Sequence, residues 1–154
     1  MPGRVAPVSR ADHAARLLLT DAAAWEALSH EMHAMLCELP APHGAVFAWL
    51  DSQLHEHGPL PWGSLREALQ GHDAEPLALR LMADAQDMAP AGPESAAELR
   101  DLLSRMLVER LKAQETEAIA SAAEDPTALA RYRVLHARRL EIEAALAPPV
   151  ADAS

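Results

Sequence analysis

The chain has 154 residues, of which 50% are hydrophobic, and a formal net charge of -10. This length provides one domain or one domain with an appendage. The net charge argues against a general nucleic-acid binder, because binding to phosphate backbones needs a net basic face. Aromatic residues make up only 3%, and most of the apolar residues are Ala and Leu. Since these are strong helix formers with low strand preference, we expect an all-helical protein.

Cysteine content and hydropathy indicate a cellular compartment. The single Cys37 excludes an internal disulfide and a cysteine-rich zinc site. No apolar run approaches the roughly 20 residues that span a bilayer, and the opening MPGRVAPVSR lacks the apolar segment of a signal peptide. The sequence therefore predicts a soluble cytoplasmic protein.

Capping residues predict the first helices. Ser9 is followed three residues later by Asp12, which is the capping-box spacing, and this predicts a helix through the leucines at 17–19. A second, shorter helix after Thr20 carries Trp25. The prolines of LPAPHG then interrupt the helical pattern.

Short helices with tight breaks continue through Met88 to the APAGP segment and predict a compact bundle. A third helix ends at Gly58, and its apolar face carries Val46, Leu50 and Leu54. The segment SLREALQG reads as a short fourth helix. The fifth helix starts near Pro76, because proline suits the first helical turn.

The end of the chain differs from this bundle. No Gly or Pro occurs from Glu94 to about Ala123, so we expect one long helix whose large apolar residues end at Leu111. Asp125 and Pro126 predict the start of a last helix that runs to about Ala147. The two helices would form an antiparallel hairpin. The predicted organisation is a helical bundle over 9–112, a C-terminal hairpin over 113–147 and a disordered tail over 148–154.

The last helix is basic although the protein is acidic. Heptad spacing predicts its seam at Tyr132, Leu135, Ile142 and Leu146, with Arg139 on the same line. Leu129 and Leu140 lie off the seam on a second face. The helix also carries Arg131, Arg133 and Arg138, and pairing with Glu109, Glu115 or Glu117 of the facing helix accounts for only part of this charge. Because interfaces are enriched in arginine and apolar anchors, we favour a docking element over a solvated surface.

No candidate active site emerges from the sequence. His30 and His33 lie three residues apart, not at the four-residue spacing of HExxH, and His55 and His57 lie two apart. Neither pair has a clear third ligand, which a catalytic zinc ion needs. We therefore expect surface histidines, a structural thiol at Cys37, no cofactor and no metal, and we interpret the chain as a non-catalytic binding module.

The order of these elements resembles the C-terminal, helicase-binding domain of DnaG-type bacterial primases. The segments that carry the resemblance are ARLLLTDAAAWEAL, VFAWLDSQL, SLREALQG, PLALRLMADA and the ending from Ala96 to Leu146, where a long helix, an EDP turn and a terminal RYxxLxxxRxxIE helix follow one another. The resemblance implies docking onto the N-terminal domains of the hexameric replicative helicase, which recruits primase to the replication fork and modulates the helicase. The contact candidates are then Leu129, Arg133, His136 and Leu140.

Primases of this family also bind the acidic C-terminal tail of the single-stranded-DNA-binding protein in a basic and apolar pocket. The resemblance places Arg80 and Leu81 in that pocket. Where a basic residue of the first helix would align, this chain has Asp12, and Arg10 or Arg16 would substitute from nearby turns. The fragment itself would contact neither nucleic acid nor membrane.

Three classes of function remain open at this point. The first is the helicase-docking domain of a primase, which would be a piece of a longer polypeptide without catalysis of its own. The second is another helical adaptor, or the N-terminal domain of the replicative helicase, which has a similar fold. The third is a metal enzyme that uses the histidines.

Overall fold

The computed structural model describes residues 9–83 and 93–146. These residues form eight α-helices and no strand, which confirms the predicted all-helical class. The helices are α1 Arg10–Thr20, α2 Ala23–Glu26, α3 His30–Cys37, α4 His43–His57, α5 Trp62–Ala68, α6 Glu75–Met82, α7 Pro93–Ser121 and α8 Ala128–Leu146. Within the described ranges, none of these helices combines the length and the apolar character that crossing a membrane requires.

The chain divides into two compact units, Met1–Arg100 and Asp101–Ser154. The division falls inside α7, earlier on that helix than the boundary predicted after residue 112. The predicted break between the fifth helix and the long helix, APAGP at 89–93, lies outside the described residues except for Pro93, which begins α7. The predicted disordered tail over 148–154 also lies outside them.

Serine side chains begin two helices of the first unit. The backbone N–H of Asp12 donates to Ser9 Oγ at 3.0 Å, which confirms the predicted cap of α1. The N–H of Met32 donates to Ser29 Oγ at 3.1 Å in the same way. This second cap starts α3, so the single short helix predicted after Thr20 is wrong: the segment forms α2 and α3, separated at Ala27–Ser29.

The core of the first unit forms where α4 packs against α1, α3 and α6. The apolar face predicted on α4 is buried, with Val46 and Leu50 at 0% exposure and Leu54 at 5%. On α2, Trp25 is also buried, and its indole Nε1–H donates to Asp51 Oδ1 of α4 at 2.9 Å. This bond satisfies the one polar atom of a large apolar side chain, so α2 is anchored on α4 despite its four residues.

The predicted ends of the middle helices agree with the structure. Gly58 ends α4 with φ 75°, a left-handed conformation that favours glycine. Pro76 lies in the first turn of α6, where its missing N–H would have had no helical partner.

In the second unit, α7 and α8 are joined by the turn at residues 122–127. The buried leucines of α7 in this unit are Leu103, Leu107 and Leu111, which agrees with the predicted loss of large apolar residues after that position. In the turn, Asp125 Oδ1 accepts hydrogen bonds from the backbone N–H and the hydroxyl of Thr127. Together with the bonds between the two helices described below, this connection is compatible with the predicted hairpin.

Candidate docking surface on the last helix

One face of α8 forms a regular seam. Its residues alternate in steps of four and three, and each of them is buried or half-buried: Ala128, Tyr132, Leu135, Arg139, Ile142 and Leu146. The heptad seam predicted from the sequence agrees with this burial. Because the seam occupies one side of the helix, the remaining sides carry its exposed residues.

The flank beside this seam carries three of the four predicted contact residues in exposed positions. Leu129 is 52% exposed and Leu140 is 48% exposed, and Arg133 lies between them on the exposed surface. Within the described part of the chain, Arg133 makes no hydrogen bond or ion pair. A guanidinium between two exposed leucines is a composition typical of interface anchors. We call Leu129, Arg133, His136 and Leu140 the α8 stripe.

His136, the fourth residue of the α8 stripe, has a different environment from the one expected. Its ring stacks on Tyr132 with centroids 5.4 Å apart, and its Nδ1 lies 3.2 Å from Glu115 Oε1 of α7. With 38% side-chain exposure, it contacts the seam and retains one accessible edge. His136 therefore packs mainly within the hairpin, and only part of its side chain is accessible to a partner.

The other arginines of α8 are already paired. Arg131 contacts Asp125 at 3.3 Å, and Arg138 contacts Glu141 of its own helix at 2.9 Å. Of the arginines that could pair with glutamates of α7, Arg139 contacts Glu115. The two contacts of Arg131 and Arg138 lie within α8 and the turn before it. Since both pairs are exposed, each adds little to stability. On α7, Glu109 pairs with Lys112.

Two exposed apolar residues of the second unit were missed by the sequence reasoning. Val134 on α8 is 69% exposed, and Ile119 on α7 is 55% exposed. Val134 lies on the side of α8 opposite the α8 stripe, since the two are separated by more than a quarter turn around the helix. The position of Val134 off the heptad seam of α8 was the signal that could have identified it.

The residues of the predicted tail pocket lie in different environments. Leu81 is only 2% exposed, so its side chain belongs to the core, and its carbonyl accepts a hydrogen bond from Arg16 Nε at 3.1 Å. Arg10 and Arg80 are exposed and have no partner among the described residues. Asp12 lies 2.6 Å from His43 Nε2, so this carboxylate ties α1 to α4.

The histidines of the first unit mostly serve the fold. His33 stacks on Trp25 with centroids 4.4 Å apart, and its Nε2 lies 2.7 Å from the Trp25 carbonyl oxygen. It is therefore not the solvated histidine that the sequence predicted. His55 and His57 are exposed. Within residues 9–83 and 93–146, no three His, Cys, Asp or Glu side chains are arranged to hold a metal ion.

Cys37 is half-buried rather than fully buried. Burial raises the pKa of its thiol, and the nearby carboxylates of Asp51 and Glu38 raise it further. A thiol with a raised pKa is protonated at neutral pH, and the thiol form is a poor nucleophile.

Comparisons of the chain with protein-family models, with curated proteins and with solved structures found no match.

Proposed function

We propose that this chain is a non-catalytic docking domain of a bacterial primase in the cytoplasm. Its partner would be the N-terminal domains of the hexameric replicative helicase, and the contact would recruit primase to the replication fork and modulate the helicase. The sequence resemblance supplies the identity of the partner. The exposed α8 stripe supplies the surface.

One observation carries the proposal. Arg133 is an exposed guanidinium without a partner among residues 9–83 and 93–146, and it lies between two leucines that are about half exposed. A protein with a net charge of -10 has ample acidic side chains, yet none of those described pairs with Arg133. An external carboxylate flanked by apolar surface would satisfy both the charge and the leucines.

The first experiment is size-exclusion chromatography of this chain mixed with the full-length helicase of the same organism, followed by calorimetric titration. We expect the wild-type chain to elute with the helicase. Arg133→Glu should weaken binding by about tenfold or more, because loss of an interface anchor costs about 2 kcal/mol. Arg66→Glu is the matched control: it makes the same charge change at an exposed arginine of α5 that has no partner in the part of the chain that the structure describes.

A second pair of variants tests the apolar part of the stripe. Leu140→Ala should weaken binding, whereas Val134→Ala on the opposite side of the same helix should leave it unchanged. Wild-type affinity in both Arg133→Glu and Leu140→Ala would exclude the stripe as the interface. Absence of any complex with the wild-type chain would exclude the helicase as partner and favour another adaptor role.

A further inference from the structure

A charged residue occupies the middle of the α8 seam. Arg139 stands between Leu135 and Ile142 at heptad spacing, and its side chain is 17% exposed. Such a position normally carries an apolar residue, because the seam of paired helices is the part that loses contact with water. A charge at this position requires nearly complete pairing.

Arg139 has that pairing. Its Nε and Nη2 donate to the two carboxylate oxygens of Glu115, at 2.5 and 3.1 Å. Its Nη1 lies 3.1 Å from both oxygens of Glu143, and its Nη2 lies 3.2 Å from His136 Nδ1. Each of the three guanidinium nitrogens therefore has a carboxylate acceptor.

Glu115 brings the opposite charge from α7. At 6% exposure, it is the buried charged residue of the described chain. Its hydrogen bond from Arg139 holds the pKa of the carboxyl below its ordinary value of 4.5. Glu115 and Arg139 thus form a bidentate pair that joins the two helices of the second unit at one point along their length.

The Glu115–Arg139 pair contributes more to selecting one relative position of α7 and α8 than to the free energy of unfolding. Apolar side chains of similar size often replace a buried ion pair without loss of stability, whereas removal of one partner leaves an uncompensated charge. A shift of α8 along α7 by one helical turn, about 5.4 Å, would move Arg139 out of reach of Glu115. Arg139 would keep Glu143 of its own helix but lose Glu115, and the buried Glu115 carboxylate would lose Arg139, so the shifted arrangement is disfavoured.

We propose that Glu115 and Arg139 form a register lock, which fixes the axial position of α8 on α7. The lock thereby sets where the α8 stripe lies along the hairpin. The lock itself is independent of any partner, and only its consequence for helicase docking rests on the proposed function.

The experiment measures stability and register separately in the full chain. Spin labels at the exposed positions Lys112 and Ala130, in a Cys37→Ala background, report the distance between α7 and α8. The variants are Glu115→Leu, Arg139→Leu and the double substitution. Arg105→Leu is the control, since it removes an exposed ion pair with Asp101 on α7.

We expect each single substitution to lower the thermal midpoint, because the remaining charge loses its bidentate partner on the other helix. The double variant should melt at or above the wild-type midpoint but show a second distance population displaced by about 5 Å, one helical turn. The wild type and Arg105→Leu should show one population.

Two results would overturn the register lock. One is a double variant with the single wild-type distance, which would mean that the apolar seam alone sets the register. The other is single variants with the wild-type midpoint, which would mean that the pair is not buried in solution. Loss of register with unchanged helicase affinity would refute only the link to docking. If the wild type does not bind the helicase, the proposed function fails, and the distance measurement still tests the register lock.

Discussion

Gly44, in the first turn of α4, provides the sharpest test of the bundle. A Cβ added at this position would lie 2.1 Å from the Leu39 carbonyl oxygen and 3.0 Å from that of Cys37. Both neighbours are backbone atoms in the connection from α3 to α4, and the Gly44 N–H itself donates to the Pro40 carbonyl at 3.2 Å. No side-chain rotation relieves such a contact, so the connection must move.

The size of the effect follows from the distance. The Leu39 carbonyl must retreat by about 1 Å or more to reach ordinary contact, in an interior that is already close-packed. Overpacking of this kind costs about 1–3 kcal/mol and sometimes more. The higher helix propensity of alanine offsets up to about 1 kcal/mol of this cost. We therefore expect Gly44→Ala to lower the free energy of unfolding by about 2 kcal/mol, a fall of roughly 4–8 °C in the melting temperature for a chain of this size.

Gly63 is the matched control for this substitution. It lies in α5, and a Cβ built there meets nothing within 4 Å. Gly63→Ala should therefore stabilise the protein by about 0.4–1 kcal/mol, because it restricts the unfolded chain without a clash. The same chemical change thus has opposite signs at two positions.

Tryptophan fluorescence makes the measurement specific for the first unit, since Trp25, Trp49 and Trp62 all belong to it. Urea and thermal unfolding would be followed by this signal and by circular dichroism. A Gly44→Ala variant as stable as the wild type would refute the close approach of Leu39 and with it the described packing of α3 on α4.

Two further predictions concern charge. Hydrogen bonds from Arg139 to Glu115 and from Thr127 to Asp125 lower the pKa of both carboxyls, so their stabilisation is present above the ordinary pKa values of 4.5 and 3.8 and is lost as the pH falls through the lowered values. Fluorescence of Tyr132, the single tyrosine, should report this acid-induced loss of stability. Glu115→Gln should reduce the pH dependence of the unfolding transition. An acid transition that is the same in wild type and variant would contradict the reasoning. Arg80→Ala should weaken binding of a peptide with the acidic tail of the cognate single-stranded-DNA-binding protein, measured by fluorescence anisotropy. Arg66→Ala should leave this binding unchanged. Equal binding by both variants would exclude Arg80 from the site.

Local signals in the sequence predicted most of the fold because they act over a few residues. The Ser9 cap, the Gly58 terminus and the proline of α6 each specify a helix end through one backbone requirement. The apolar face of α4 and the seam of α8 follow from the helical period alone. The division of α2 from α3 was missed because the Ser29 cap lies among residues that are otherwise compatible with one continuous helix.

The candidate site was less predictable because it depends on which charges meet. Arg131 contacts Asp125 and Arg138 contacts Glu141, both close in sequence, whereas Arg139 contacts Glu115 on the facing helix. The burial of Leu81 could not be inferred from its neighbour Arg80, since two consecutive helix residues point in different directions. These outcomes depend on tertiary packing, which a single sequence does not specify.

The arginines of α8 have distinct roles once their partners are known. Arg139 lies in the seam, where it forms ion pairs with Glu115 and Glu143. Arg131 and Arg138 have exposed carboxylate partners, so their charge is largely compensated locally. The basic character of the helix that is available to another molecule therefore reduces to Arg133, with an edge of His136 beside it. A single guanidinium between two leucines cannot hold a nucleic-acid backbone, which requires many phosphate contacts, but it suits one carboxylate at the centre of an apolar protein interface.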